Sequence, residues 1–273
     1  MSSPTLSVLI CTFHGESPAY LSACLQSLVD QTLTDFEVVL IRDGDLTDSL
    51  ETVIDSFRQQ LTILDHTYLG DGHLGGGLSE GLLLCNSNWI ARMDSDDVCR
   101  PNRFEIQLKY MIEHDLDLCS GAIAEFDQMP GDLGQVRFLP EFVQSQHMER
   151  ANPINHMAAM YKKSTAVAAG NYRVLEGFED WYLWLRMFAQ NARVGNLQEV
   201  LVDARIGNEF AARRGGLKYV KREYRAISLF RSEHLISSYH FLFNIFTRLP
   251  ARFLPRSVLL FLYKLIKRSK LKG

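Results

Sequence analysis

No two of the five cysteines, Cys11, Cys24, Cys85, Cys99 and Cys119, form a Cys-x-x-Cys pair. Nothing therefore points to a zinc site or a disulfide framework, and the composition fits a reducing compartment. The chain also lacks an uninterrupted apolar run approaching the ~20 residues of a membrane-spanning helix. No basic segment precedes its first apolar stretch, so a secretory signal is not expected. Its one glycine-rich stretch carries neither a Gly-x-Gly-x-x-Gly after a strand nor a Walker lysine, which excludes the dinucleotide fingerprint and the P-loop. There is no internal repeat and no low-complexity linker. Basic residues are scarce before residue 207: residues 1–206 hold 14 Lys+Arg against 29 Asp+Glu, whereas residues 207–273 hold 15 against 3. An acidic body joined to a basic tail implies an anionic partner for the tail. The acidic body would itself repel a nucleic-acid backbone.

The 273 residues are 47% hydrophobic and 22% charged, enough for one large core or two small ones. Leu6 to Cys11 reads as a buried parallel strand, and Ala19 to Leu28 as a helix with Leu21, Cys24, Leu25 and Leu28 on one face. Phe36 to Ile41 is a second buried strand, followed by a helix over Leu50 to Gln59 and a weaker strand at Leu61 to Leu64. This alternation is the pattern of a doubly wound nucleotide-binding sheet. Gly70 to Gly77 reads as the most flexible stretch, a loop feeding a helix that starts near Leu78. Further on, Pro101 to His114 reads as a helix, Asp117 to Phe126 as a strand, Met129 to Gly134 as a turn and Met157 to Tyr161 as another strand.

The chemistry gathers at the ends of these elements. An apolar stretch, Trp89 to Met93, runs into Asp94-Ser95-Asp96-Asp97. A buried strand there would deliver three carboxylates at its C-terminal end, the edge at which open α/β sheets bind ligands. Three like charges packed together favour a cation, and hard oxygen ligands suit Mg²⁺ or Mn²⁺, ions that also bind substrate phosphates. The structural alternative is a surface turn with Asp97 capping the next helix. Thr12 offers a hydroxyl at the first strand end, and Asp43 a carboxylate at the second, where Asp43-Gly44 is equally readable as a plain turn. Glu179 and Asp180 open a helix whose Trp181, Trp184, Leu185 and Phe188 follow i, i+3, i+4, i+7 spacing. The pair serves either as dipole-stabilising caps or as a general base aimed into a cleft. His156, at a strand start, suits a polyol contact or a structural hydrogen bond.

Beyond residue 207, Arg213-Arg214-Gly215-Gly216 sets two guanidinium groups beside a hinge, an arrangement suited to a diphosphate. Leu235 to Gly273 interleaves aromatic and aliphatic residues with Arg248, Arg252, Arg256, Lys264, Lys267, Arg268, Lys270 and Lys272, and Pro250 and Pro255 divide it into short helices. Such a stretch suits an anionic membrane surface; the alternatives are a helix packed on the body or a nucleic-acid patch.

Taken in order, the strand to Thr12, the strand to Asp43, Met93-Asp94-Ser95-Asp96-Asp97 and Glu179-Asp180-Trp181 resemble the family 2 glycosyltransferases with the GT-A fold. The run Glu179 to Met187, with Arg205-Ile206-Gly207 and Arg213 to Gly216, is similar to the bacterial branch that builds O-antigen, capsule and exopolysaccharide, including amylovoran-type transferases. The resemblance implies an α/β, GT-A, Rossmann-like and mostly parallel sheet. Residues 1–115 would form the nucleotide-sugar half, 116–206 the acceptor half and 207–273 a basic amphipathic tail. It implies an inverting transfer from a nucleotide-sugar, a UDP-sugar first of all, to a hydroxyl of a glycan or lipid-linked acceptor. Thr12, Asp43, Asp94, Arg213 and Arg214 would bind the donor, and Asp96 the Mn²⁺ or Mg²⁺. Asp180 would be the base, with His156 and Glu179 on the acceptor side. The expected setting is cytoplasmic, peripheral on the inner face of the membrane, with no nucleic-acid partner. Two departures fall on the donor side: the family often has Asp-Asp-Gly-Ser where this chain has Arg42-Asp43-Gly44-Asp45, and Asn-x-Gly where it has Asp71-Gly72-His73. The rival readings are a sugar nucleotidyltransferase, also α/β with paired carboxylates, and a non-catalytic module that binds through the tail.

Overall fold

Strand and helix alternate through the first half of the chain in the computed structural model, which describes residues 3–70, 72–206, 215–253 and 268–270. The order is β1 (Leu6–Phe13), α1 (Pro18–Val29), β2 (Phe36–Asp43), α2 (Asp48–Phe57), β3 (Ile63–Tyr68), α3 (Leu74–Leu84) and β4 (Trp89–Asp94). Then follow β5 (Val98–Cys99), α4 (Arg103–Glu113), β6 (Leu118–Phe126), β7 (Gln135–Arg137), α5 (Ser145–Arg150), β8 (Met160–Lys162) and α6 (Lys163–Ala168). The chain continues through α7 (Glu179–Ala189), β9 (Val194–Arg205), α8 (Gly216–Ser232), α9 (Ser238–Ala251) and β10 (Arg268–Lys270).

The strands lie in the order β10-β7-β6-β8-β4-β1-β2-β3, with β9 parallel to β6 and β5 antiparallel to β9. Strands β4, β1, β2 and β3 are mutually parallel neighbours, the nucleotide-binding half that the alternation predicts. Antiparallel β8 sits between β4 and β6, so the sheet is mixed and runs unbroken into the second half. Side chains alternate across it. Val8 and Ile10 of β1 pack with α1, α2 and α4, while Leu9 packs with α3 and α7 on the other face. Leu21, Cys24, Leu25 and Leu28, one stripe of α1, are all buried, as their spacing predicts. All five cysteines are free; Cys11 is half-buried and the other four are buried.

Three expectations are corrected. The glycine stretch is not a loop before a helix at Leu78, because α3 begins at Leu74 and takes Gly75, Gly76, Gly77 and Gly81 into its turns. Close packing explains the glycines: a Cβ on Gly81 would lie 2.5 Å from Leu9 Cδ1 and 2.7 Å from Ile41 Cγ1, and one on Gly75 2.9 Å from the Arg173 carbonyl oxygen. The strand expected from Met157 starts only at Met160, since a 3-10 turn occupies His156–Ala158. The basic segment is not broken at Pro250. Its α8 runs from Gly216 to Ser232, and α9 continues through Pro250 to Ala251, with the proline confined to the last turn.

Both of these helices are tied down by carboxylates, one buried and one half-buried. Glu223 on α8 accepts from Arg248 Nε and Arg252 Nε at 2.7 Å each, so two of the cations read as surface charge are spent inside. Burial opposes the Glu223 charge, and the two arginines hold its pKa below the ordinary value all the same. Glu149 on α5 meets His240 Nδ1 at 3.0 Å and accepts from the Ser237 N–H at 2.6 Å. Arg213, Arg214, Asp71, Arg256, Lys264, Lys267 and Lys272 lie outside the described residues, as do the side chains of Arg268 and Lys270.

Candidate active site

Three parallel strands end together. Register pairs Cys11 of β1 with Asp94 of β4, and Phe13 of β1 with Asp43 of β2, so Thr12, Asp43 and Asp94 share the C-terminal edge of the sheet. Thr12 is buried, and its Oγ1 has no hydrogen-bond partner among the described residues. A buried hydroxyl without a partner is costly unless something binds there, which suits a ligand contact. Asp43 precedes Gly44, whose φ of 74° turns the chain away from the edge.

One ligand oxygen from each of Asp94, Asp96 and Asp97 can be drawn within 4.8 Å of the others. Burial first, and then Asp94 and Glu16, raises the Asp96 pKa to about 6. Asp97 is buried deeper, and its pKa too lies well above the ordinary value; burial leads, followed by Asp94 and Asp96. Its Oδ1 accepts from the Arg205 N–H at 2.7 Å, while its buried Oδ2 has no partner among the described residues. Asp97 is therefore tied to β9 rather than capping α4, which starts after Asn102. Like charges crowded in a poorly solvated place, with one oxygen unsatisfied, are a donor set that a divalent cation would fit. Arg205 bolts the turn: its Nε donates to the Asp96 carbonyl at 3.2 Å, and its guanidinium lies over the Tyr20 ring at 3.6 Å and the Phe126 ring at 4.5 Å.

Sequence reasoning missed Arg92. The stretch Trp89 to Met93 reads as apolar, yet its one charged residue is 1% exposed and ion-pairs with Asp94 two positions on, on the same face of β4. Burial works against this charge, and Asp94, with Cys11 and Tyr172, together more than offset it, so the pKa lies above the ordinary value. Its Nε has no partner among the described residues. A lone arginine inside an apolar strand, two residues before a carboxylate, is the signal that could have flagged it. Glu16 was also missed, hidden in a polar loop; it accepts from Ser95 Oγ at 2.5 Å and so joins the acidic turn.

The acceptor-side candidates come from α7 and the segment before β8. Glu179 is buried at the start of α7, where burial and then Asp180 raise its pKa to about 7. Asp180 is half-buried and accepts from Asn152 Nδ2 at 2.6 Å and the Trp181 N–H at 2.7 Å. Behind it Trp181, Trp184 and Leu185 are buried, which fixes the helix start rigidly. His156 lies 3.3 Å from the Tyr172 hydroxyl and edge-on to Trp184. Burial, and then Arg92, pushes its pKa well down, so it is a neutral imidazole. Besides pairing with Asp94, the Arg92 charge favours the ionised forms of Asp96 and Glu179 and the neutral form of His156.

Residues 7–174 match the family described as Glycosyl transferase family 2. The chain belongs to that family. The glycosyltransferase is 38% identical over 97% of its length to an Escherichia coli UDP-Gal:alpha-D-GlcNAc-diphosphoundecaprenol beta-1,3-galactosyltransferase, covering 98% of that protein. It is 36% identical over 94% of its length to the amylovoran biosynthesis glycosyltransferase AmsE of Erwinia amylovora, covering 97% of it. Among solved structures, S. aureus TarS 1-349 in complex with UDP-GlcNAc superposes with a TM-score of 0.64 at 17% identity, over 82% of this chain and 66% of that one. A Pyrobaculum calidifontis mannosyltransferase in complex with GDP-Man and Mn²⁺ superposes with a TM-score of 0.65 at 12% identity, over 97% of this chain and 76% of that one. These likenesses confirm the GT-A fold that the sequence motifs imply, with a helical C-terminal part.

Proposed function

We propose that this glycosyltransferase moves a sugar from a UDP-sugar to a hydroxyl of a lipid-linked acceptor during assembly of a bacterial surface polysaccharide, with inversion at the anomeric carbon. The observation that carries the reading is the meeting of Thr12, Asp43 and Asp94 at one sheet edge, beside a carboxylate turn that suits a divalent cation. Thr12 and Asp43 hold the base and ribose, and Asp94 the ribose-diphosphate side. Arg213 and Arg214 bind the diphosphate. Asp96, with Asp94 and Asp97 beside it, holds Mn²⁺ or Mg²⁺. Such a cation supplies positive charge that offsets the charge developing on the departing diphosphate.

Asp180 takes the proton from the acceptor hydroxyl. That oxygen then forms its bond to the anomeric carbon on the face opposite the departing UDP, whose bond to the sugar breaks in the same displacement. Asn152 and the Trp181 N–H orient the Asp180 carboxylate, while Glu179 and the neutral His156 shape the acceptor side. The enzyme works at the membrane surface, where a lipid-linked acceptor would be found.

Purified enzyme should transfer galactose from UDP-galactose to a GlcNAc-diphospholipid in Mn²⁺, and other UDP-sugars serve as comparison donors. Asp96→Ala should abolish metal-dependent donor binding and leave the fold intact. Pyrophosphate release from a nucleoside triphosphate and a sugar phosphate, with no transfer from any UDP-sugar, would establish the nucleotidyltransferase reading instead.

A further inference from the structure

Helix α9 carries an apolar stripe on the side away from the body. Tyr239, Leu242 and Phe246, with Phe253 just past the helix end, are 70%, 52%, 74% and 58% exposed. Their spacing puts them on one face, opposite the buried Asn244 that bonds to the Glu149 carbonyl. Four large side chains left in solvent along one helix mark a binding surface rather than the scatter expected of any protein.

The neighbouring helix α8 buries Glu223, Ala226, Ile227 and Phe230, and turns Lys218, Lys221 and Arg225 outward beside Tyr224. Its carboxylates face elsewhere. Glu223 is enclosed by Arg248 and Arg252, and Glu233 accepts from the Tyr182 hydroxyl at 2.5 Å. The outward sides of the helix pair are therefore aromatic and basic, on a protein whose first 206 residues are strongly acidic. Among the described residues no helix is long and apolar enough to cross a membrane, so this is a face that rests on a surface rather than a span.

The same layer touches the candidate active site. The Tyr219 ring of α8 lies 5.9 Å from Phe178, the residue immediately before Glu179 and Asp180, and Arg252 lies over Tyr219 at 4.8 Å.

We infer that the outward faces of α8 and α9 dock the enzyme on an anionic lipid bilayer, with Tyr239, Leu242, Phe246 and Phe253 entering the headgroup–acyl boundary and Lys218, Lys221 and Arg225 meeting lipid phosphates. Phe246, Phe253 and Leu242 offer apolar area to that boundary, Tyr239 adds a ring with a polar end, and nearby cations add electrostatic attraction. A nucleic acid would use the cations and leave the apolar stripe in water. The inference rests on the lipid-linked acceptor reading: docking beside Phe178 holds the acceptor-side carboxylates near the depth at which such a hydroxyl is presented.

The test is co-flotation of the full chain with vesicles of phosphatidylglycerol and phosphatidylethanolamine, against phosphatidylcholine alone. Wild type should float with the anionic vesicles only. Lys218→Glu/Lys221→Glu/Arg225→Glu should weaken binding by at least about a hundredfold, since each basic residue contributes roughly fivefold and reversal adds repulsion. Leu242→Glu/Phe246→Glu should abolish flotation. Both variants should keep wild-type transfer to a short-chain, water-soluble acceptor. Unchanged flotation of either variant overturns the inference, as does a stripe variant that alters the oligomeric state without lipid, which would make the face a protein contact. Wild type that transfers sugar yet ignores vesicles refutes docking alone. Wild type that floats yet transfers nothing refutes the enzyme reading alone.

Discussion

Replacing Glu179 by glutamine should stabilise the protein above neutral pH. The carboxylate is buried at the first turn of α7, where burial and then Asp180 lift its pKa from 4.5 to about 7, against backbone N–H groups that pull it down. A folded-state value above the unfolded one means that the stability tied to the neutral acid is complete below pH 4.5. It is lost as the pH rises through about 7. The difference of about 2.5 units, 7 minus 4.5, corresponds to roughly 3 kcal/mol at 1.36 kcal/mol per unit. Glutamine keeps the shape and cannot ionise. Urea denaturation of both proteins at about pH 5 and about pH 8, with unchanged m-values, separates the effect from general pH sensitivity. Wild type should lose roughly 2.5 kcal/mol more than Glu179→Gln between the two conditions, the rest of the total being already lost at about pH 5. Parallel pH dependence, or a variant that is weaker at high pH, would refute the reasoning. A carboxylate kept at such a cost beside the candidate base Asp180 is the kind that function retains.

Asp180→Asn should hold donor and metal affinity while kcat falls ~10²–10⁴-fold, measured as UDP release with saturating acceptor. If Glu179→Gln is the inactive variant instead, the base lies one residue earlier. Glu223→Gln should destabilise the fold by about 3–5 kcal/mol at neutral pH, because two arginines would then face a neutral amide. Since the Glu223 pKa is depressed in the folded state, that deficit should shrink in thermal melts as the pH falls below the ordinary glutamate value and through the lower folded one. Gly81→Ala should cost about 1–3 kcal/mol by overpacking Leu9 and Ile41, seen as a lowered urea midpoint with an unchanged m-value.

The parallel half of the fold was legible because its strands are short apolar runs with helical stripes between them, a pattern that local sequence carries. Asp94, Asp96 and Asp97 were legible for the same reason: they stand at the end of one run. What the sequence hid depends on contacts made far along the chain. Gly75 and Gly81 look like loop residues until Arg173 and Leu9 show that any side chain there would collide. Arg248 and Arg252 look like surface charge until α9 folds back onto Glu223, 25 and 29 positions earlier. Arg92 looks like an interruption of a strand until Asp94 stands above it on the same face. The choice of Asp180 over Glu179 comes from the family resemblance alone, since two adjacent carboxylates at a helix start differ only in what surrounds them.

The cysteines carry a practical consequence. Burial raises the thiol pKa of Cys11, Cys85 and Cys119 to about 12, and those of Cys24 and Cys99 also rise. Against an exposed thiol near 8.5, a value of about 12 leaves over a thousandfold less thiolate at neutral pH, and thiolate is what maleimides attack. The native protein is thus close to silent toward such reagents without any cysteine being removed. A single Thr247→Cys change on the exposed flank of α9 would then accept one fluorophore, and its emission would report directly how deep that helix sits when vesicles are added.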